Sequence, residues 1–284
     1  MFFWKESCLR IRERQIYTAF TGFFICLLLL IGSPAYGETI DHSDWNQFLK
    51  KYAASGRVSY AAIQEDRNLL QTYLDYLTRL TPDFLGTLNR ESRIAFWINL
   101  YNAVVISQIL NHPGIKSVEE IPDFFKAPVV HAAQVDLSLN DLKNEVLRKG
   151  FRDERILFAL VSGRMDSPKL LAEAYMGERL EEQLDFGVRQ FVDDETFNQI
   201  QVGARIAILS QIFADDGEDF LLRYGSLEGP RGFSKTEAAV ISFILNYERD
   251  AEKRLYLYDG KYKIQYHVRD SRLNQNHPQS PQNH

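Results

Sequence analysis

The chain has 284 residues, with 33 basic and 38 acidic side chains, a formal charge of −5 and 45% apolar residues. This composition excludes an intrinsically disordered chain, which is poor in apolar residues and strongly charged. The acidic balance also argues against a nucleic-acid binder that relies on a basic surface. A protein with several membrane spans is excluded, because the sequence has one segment apolar enough to enter a bilayer.

The N-terminal segment has the three parts of a secretory signal. Basic side chains precede an uncharged apolar run over residues 16–32, and the small residues Ala35 and Gly37 follow it. This pattern predicts a signal peptide over residues 1–37, cleaved near Gly37, and a periplasmic or secreted product that meets the membrane only through the signal. An uncleaved anchor in the inner membrane is the alternative, since the run is close to the shortest length that spans a bilayer.

Both cysteines, Cys8 and Cys26, lie within this leader. The rest of the chain therefore has no thiol nucleophile, no thiolate metal ligand and no disulfide. His112 and His131 have no carboxylate or second histidine at ligand spacing, so a zinc site is not expected. We therefore expect no metal and no cofactor.

Residues 38–270 are predicted to form one mostly helical domain, followed by a disordered polar tail over residues 271–284. Amphipathic helices are predicted from apolar residues at helical spacing over 44–55, 60–80, 137–150, 178–192 and 234–249. A further helix over 91–110 is apolar on almost every face, which is typical of a central buried helix. It carries Asn99 and Asn102, three residues apart and therefore on one side of the helix.

Strands are predicted to be few and local. Short runs over 128–131 and 134–137 and a longer one over 197–213 have β-like composition, and alternating aromatic residues flank Asp259-Gly260 in the segment 254–268. Because Asp-Gly favours a type I′ turn, this last segment predicts a C-terminal β-hairpin. The fold class is therefore α+β, with a central buried helix and a small antiparallel sheet.

Four sequence blocks carry a resemblance to a known family: AFWINLYNA (95–103), LSLNDL (137–142), RILFALVSGRMDSPKLLAEAY (155–175) and RDSRLN (269–274). With them the chain resembles the bacterial family catalogued as domain of unknown function 547, over about residues 60–274. The resemblance implies no firm activity. Members are often exported, which agrees with the predicted leader.

The chain departs from the family pattern at positions that bear chemistry. Where the family typically has a histidine, an asparagine and two cysteines in the third block, this chain has Leu157, Val161, Ser162 and Ser167. An acidic residue that often follows the second block is replaced by Lys143. The departures imply that any thiolate chemistry of the family is not available to this chain, because a serine hydroxyl is far less acidic than a thiol.

The first functional hypothesis is a binding protein without thiol chemistry. The residues predicted to bind an unknown small molecule or an envelope protein are Asn99, Tyr101, Asn102 and Arg164. Buried amides must be hydrogen-bonded, so the two asparagines either hold a neighbouring loop or line a pocket. The third block is the loop that they would hold.

The second hypothesis is a serine-dependent hydrolase or acyl transferase that uses Ser162 or Ser167. His267 and Asp270 follow these serines in the chain order nucleophile, base, orienter, so a catalytic triad is conceivable, although triads are recognised by geometry rather than order. The full G-x-S-x-G nucleophile pattern is absent, because Leu160 stands at its first glycine. A plain turn at Ser162-Gly163 is the alternative.

Overall fold

The computed structural model describes residues 39–225 and 232–276. The predicted leader over residues 1–37 and the end of the predicted tail, residues 277–284, lie outside the described residues. Within the described part, the α+β class is confirmed: there are eleven α-helices, one of which is a buried apolar helix, and five short strands form two small sheets.

Three short helices open the domain: α1 (Ser43–Tyr52), α2 (Tyr60–Glu65) and α3 (Asn68–Thr78). The single helix predicted over 60–80 is therefore interrupted. The interruption lies at Asp66, which has extended backbone and whose carboxylate accepts hydrogen bonds from the Asn68 N–H (3.2 Å) and from Lys51 (3.2 Å). An aspartate that bonds the backbone two residues on starts a new helix rather than continuing the old one.

The central helix is α5 (Arg90–Leu110), which follows the short α4 (Pro82–Thr87). It begins at Asn89, whose side chain accepts a hydrogen bond from the Ser92 N–H at 2.7 Å, as an N-cap residue does. Helix α5 is also long and apolar enough to cross a membrane, so the leader is not the one such segment that the sequence was expected to contain, but 78% of the most apolar window of α5 is buried inside the fold. This burial confirms the prediction of a core helix.

A two-stranded antiparallel sheet follows, formed by β1 (Val130–Ala132) and β2 (Val135–Leu137). Its turn residues Ala133 and Gln134 both have positive φ, of 51° and 60°, which is the backbone of a type I′ turn. Ser138 then caps α6 (Leu139–Asp141), which continues as a π-helix over Leu142–Lys149.

The third sequence block forms a short 3-10 helix, Glu154–Phe158, and then an irregular chain that turns at Gly163. Gly163 has a φ of +79°, and a Cβ built there would lie 2.7 Å from Ile109 Cδ1 and 2.9 Å from Val118 Cγ1. Glycine is therefore required both for the backbone conformation and for the close approach of the turn to α5.

We expect Gly163→Ala to lower the free energy of unfolding by about 1–3 kcal/mol, through backbone strain and the two close contacts. Chemical denaturation measures the change, and Gly203→Ala is the matched control, because a Cβ at Gly203 meets no atom within 4 Å. Equal effects of the two substitutions would contradict the close approach.

The C-terminal half contains α7 (Leu180–Val192), the strands β3 (Gln199–Gln201) and β4 (Ile206–Leu209), and a set of further helices. These helices are α8 (Gln211–Asp215), α9 (Leu221–Tyr224), α10 (Lys235–Tyr247) and α11 (Ala251–Asp259). The last strand, β5 (Lys263–Tyr266), pairs in parallel with β4, so the sheet order is β3-β4-β5.

The predicted C-terminal hairpin about Asp259-Gly260 is wrong. Its first arm is helix α11, which Asp250 caps by accepting a hydrogen bond from the Lys253 N–H at 2.9 Å. Gly260 has a left-handed backbone (φ 70°) and ends this helix. The same Asp-Gly pair that makes a type I′ turn can also terminate a helix, because both structures need a residue at positive φ.

The described domain has two hydrophobic cores that meet at the third sequence block. Ile156 and residues 159–161 pack into the core around α5, while Leu157 and Phe158 pack into the C-terminal core. Phe158 stacks on Phe243 of α10, with ring centroids 5.3 Å apart. Residues 156–161, which precede Ser162, are therefore held by packing against both cores.

The predicted disordered tail begins too early, because residues 271–276 belong to the fold. They form, with Asp270, a segment that we call the C-terminal strap. Its Asn274 is fully buried, and its side-chain oxygen accepts a hydrogen bond from the Tyr60 hydroxyl at 2.7 Å. The backbone N–H of Asn274 donates to the Gly163 carbonyl at 3.0 Å. Polar composition predicted disorder here, but the backbone and the side-chain oxygen of Asn274 are hydrogen-bonded to the domain.

Candidate functional site

Asn102 on α5 holds the chain that leads to Ser162. Its side chain donates a hydrogen bond to the Ala159 carbonyl (3.0 Å) and accepts one from the Val161 N–H (2.9 Å). The amide therefore pairs with this segment as a neighbouring β-strand would. All three residues are buried, so these hydrogen bonds satisfy polar groups that water does not reach.

Asn99, one turn earlier, holds the other end of the same block. It donates to the Tyr175 carbonyl (2.8 Å) and accepts from the Tyr175 N–H (3.0 Å). Its amide nitrogen also lies 3.5 Å from Nδ1 of the buried His42, which is 2.7 Å from the Tyr73 hydroxyl. Both asparagines that were predicted to bind a ligand thus make backbone contacts, and they position the loop between them.

The loop over residues 162–168 is closed by its own contacts and by the C-terminal strap. The Ser167 hydroxyl donates to the Arg164 carbonyl at 2.7 Å. From the strap side, the Met165 N–H donates to the Arg272 carbonyl (2.8 Å), and the Asp270 N–H donates to the Asp166 carboxylate (3.2 Å). The third and fourth sequence blocks therefore form one structure.

This loop walls a small cavity of about 100 Å³, which we call the Ser162 cavity. Among the residues predicted as site residues, it brings together Tyr101, Ser162, Arg164 and Ser167. The other polar side chains that line it are Lys143, Asp166, Gln211, Asp215, Asp216 and Arg269. Sequence reasoning named only Lys143 of these, as a departure from the family pattern, and the others come from three separate segments that no short motif joins. A larger cavity of about 410 Å³ lies around Arg148 and Glu154 and contains none of the predicted residues.

The charges around the Ser162 cavity are balanced and mostly paired. Lys143 contacts the buried Asp216 at 2.6 Å, and Arg269 contacts Asp215. Arg164 contacts Glu119 at 3.0 Å and lies over the Phe125 ring, 5.1 Å from its centroid. Alternating cations and carboxylates of this kind favour a small polar group over a strongly charged one.

Asp166 and Tyr101 are the titratable groups of the cavity that burial affects most. Burial raises the pKa of the Asp166 carboxyl, and Arg164, 3.8 Å away, opposes this shift in part. Burial also raises the pKa of the Tyr101 hydroxyl. Tyr101 is therefore a neutral hydroxyl at every physiological pH and can donate or accept a hydrogen bond.

The structure does not assemble the possible catalytic triad. His267 lies just after β5, where its backbone N–H donates to the Leu209 carbonyl, and its ring lines a different cavity from Ser162. The Asp270 carboxylate accepts a hydrogen bond from Arg272 Nε at 2.8 Å, and this contact lowers the pKa of Asp270. Within the described ranges, no hydrogen bond joins Ser162 or Ser167 to a histidine, and none joins His267 to Asp270.

Residues 39–225 and 232–276 contain no group of three or more histidine, cysteine, aspartate or glutamate side chains placed to hold a metal ion.

Residues 85–192 match the model of the family described as protein of unknown function, DUF547. The match includes the first three of the four sequence blocks and confirms the predicted resemblance there. No curated protein and no solved structure matched the chain.

Proposed function

We propose that this chain, whose residues 85–192 match the DUF547 family model, binds a small polar ligand in the Ser162 cavity without thiol chemistry. One observation carries this proposal. Lys143, Leu157, Ser162 and Ser167, four positions at which the chain departs from the family pattern, all line this one cavity. Departures from a family pattern that line one cavity are expected where the bound molecule or its chemistry differs from that of the family.

The walls of the cavity define the chemistry of the ligand. Tyr101 and Ser162 offer hydroxyl groups, and Asp166 offers a carboxyl whose pKa is raised by burial. A volume of about 100 Å³ is below the range of about 300–1,000 Å³ that is usual for drug-sized ligands. The Ser162 cavity therefore suits one polar group of a ligand rather than a whole large molecule.

Export is part of the proposal. Its support is the leader pattern of residues 1–37 and the absence of cysteine from residues 38–284, which suits an oxidising compartment. Mass spectrometry of the protein from its native host tests it. A mature N-terminus close to Glu38 supports cleavage, and an intact N-terminus in the soluble cytosolic fraction contradicts export.

Ligand binding is tested by a thermal-shift screen of small polar metabolites. We expect at least one compound to raise the melting temperature of the protein, since a ligand that binds only the folded state stabilises it. Ser162→Met, which fills the cavity, is expected to remove the shift. Ser43→Met, at an exposed position of α1, is the matched control. A shift that persists in Ser162→Met would contradict binding in this cavity.

The hydrolase alternative makes a different prediction. We expect a fluorophosphonate probe not to label the protein, because no histidine among the described residues is hydrogen-bonded to Ser162 or Ser167, and the Ser167 hydroxyl is bound to the Arg164 carbonyl. In-gel fluorescence measures the labelling, with a known serine hydrolase as the positive control. Labelling that is lost in Ser162→Ala or in Ser167→Ala would overturn this expectation and support the hydrolase.

A further inference from the structure

A second cavity, of about 360 Å³, adjoins the Ser162 cavity, and we call it the Arg57 cavity. The two cavities share Asp166 and Gln211 as lining residues. The wall on the far side includes Arg57, Ser210 and His267. Its volume lies within the usual range for small-ligand sites, so the larger part of a ligand has room here.

Arg57 is a partly buried cation without an ion pair. One guanidinium nitrogen, Nη1, donates to the Met165 carbonyl at 3.1 Å. In the part of the chain that the structure describes, no carboxylate oxygen lies within 4 Å of this guanidinium. Burial consequently lowers the pKa of Arg57.

Most other buried or partly buried arginines among the described residues have an ion pair. Arg148 contacts Asp219 at 2.6 Å, and Arg164 contacts Glu119 at 3.0 Å. Arg155 contacts three carboxylates, the nearest being Asp153 at 2.7 Å.

Arg67 also has no ion pair, but its guanidinium donates to the side chains of Gln64 and Asn111 and to the Leu110 carbonyl. The Arg57 guanidinium donates only to the Met165 carbonyl among the described residues. Because a desolvated cation is costly unless it is paired, Arg57 calls for a partner of opposite charge.

The acidic groups closest to Arg57 are already engaged. Asp270 contacts the guanidinium of Arg272, and Asp194 contacts Lys169 at 2.6 Å. The negative charges of these carboxylates raise the pKa of Arg57 from a distance, but their direct contacts are with Lys169 and Arg272. The remaining donors of Arg57 are therefore available to an incoming anion.

His267 supplies a second, independent observation. Its Nε2 atom is buried and has no hydrogen-bond partner among the described residues, although its ring lines the Arg57 cavity. A buried polar atom that lacks a partner costs about 1–3 kcal/mol, and a bound molecule that reached it would remove this cost. A ring nitrogen that carries a proton donates one hydrogen bond.

We propose that the Arg57 cavity binds the carboxylate of a small organic acid, with Arg57 as the charged partner and His267 as a further hydrogen-bond donor. A guanidinium matches the planar, two-oxygen geometry of a carboxylate. The inference rests on the proposed function, since the other end of the acid would lie in the Ser162 cavity. The two adjoining cavities then form one site for an acid with a polar end group.

The test is a calorimetric titration of the purified full chain with acetate, succinate and benzoate, each compared with its uncharged amide. We expect at least one acid to bind while its amide does not. Arg57→Gln should weaken that binding at least tenfold, His267→Gln should weaken it less, and Arg57→Lys should retain part of it because the charge remains. Arg79→Gln, at an exposed position, should leave the affinity unchanged.

Two outcomes would overturn the inference: no acid binds more tightly than its amide, or Arg57→Gln binds the acid as well as the wild type. Thermal melting of each variant shows whether it is folded. If Arg57→Gln does not fold, Arg57→Lys, which keeps a positive charge, is the variant to compare with the wild type. The Ser162→Met variant separates the two proposals. Acid binding that is lost in Arg57→Gln but unchanged in Ser162→Met contradicts the proposed function alone and leaves the Arg57 site standing.

Discussion

Replacing Asn102 with alanine is expected to lower the free energy of unfolding by about 2–5 kcal/mol, which makes it the most damaging of the substitutions considered. The side chain has two buried hydrogen bonds, to the Ala159 carbonyl and from the Val161 N–H. Its removal leaves both backbone groups without a partner in a region closed to water, and an unsatisfied buried group costs more than a hydrogen bond contributes. Urea denaturation followed by circular dichroism measures the change.

Two further variants show whether the hydrogen bonds are the cause. Asn68→Ala, at an exposed position in the first turn of α3, is the matched control and should change stability by less than about 0.5 kcal/mol. Asn102→Asp keeps the shape of the side chain but loses the N–H donor, so it should also be destabilised. If Asn102→Ala were no worse than Asn68→Ala, the pairing with the third block would not be the support that we describe.

The stability of the domain is expected to fall between about pH 6.5 and pH 4 through His42. Burial lowers the pKa of His42 in the folded protein to about 4, against a reference value of 6.5. Below pH 6.5 the unfolded chain takes up a proton that the folded chain does not, so acidification favours unfolding. The loss at pH 4 and below from this group is about 3 kcal/mol, from a shift of that size at about 1.4 kcal/mol per pKa unit.

Denaturation curves over this pH range, compared between the wild type and His42→Asn, isolate the contribution. The asparagine Oδ1 atom takes the place of His42 Nδ1 opposite the Tyr73 hydroxyl and the Asn99 amide, and it does not titrate. The variant should lose some stability at pH 7 but should show a flatter decline as the pH falls. An equally steep decline in stability in both proteins would mean that the pKa of His42 is not lowered in the folded protein.

Local sequence patterns predicted the elements that local interactions determine. The capping box Ser234–Glu237 and the apolar faces of α5 were sufficient to place their helices. The Asp259-Gly260 pair was not sufficient, because a helix end and a hairpin turn both need positive φ at that point. Whether this pair ends a helix or turns a hairpin depends on the pairing partner of β5. That partner is β4, which is parallel to β5 and far from it in the sequence, so a local pattern does not predict it.

The candidate site also contains residues that the sequence could indicate and residues whose position depends on distant segments. Tyr101, Ser162, Arg164 and Ser167 were within reach of sequence reasoning because they lie in the family blocks, and the structure places all four around one cavity. Lys143, Asp216 and Arg269 complete the walls through ion pairs between segments that are far apart in the chain. His267 falls in the neighbouring cavity rather than beside Ser162, because its position follows from the pairing of β5.

A crystal structure of the protein with the compound that gives the largest thermal shift tests the central claim most directly. The account predicts that the compound lies between Tyr101, Ser162 and Ser167, with the loop over residues 162–168 still held by Asn102. A compound bound in the cavity around Arg148 and Glu154, with the Ser162 cavity unchanged, would contradict it.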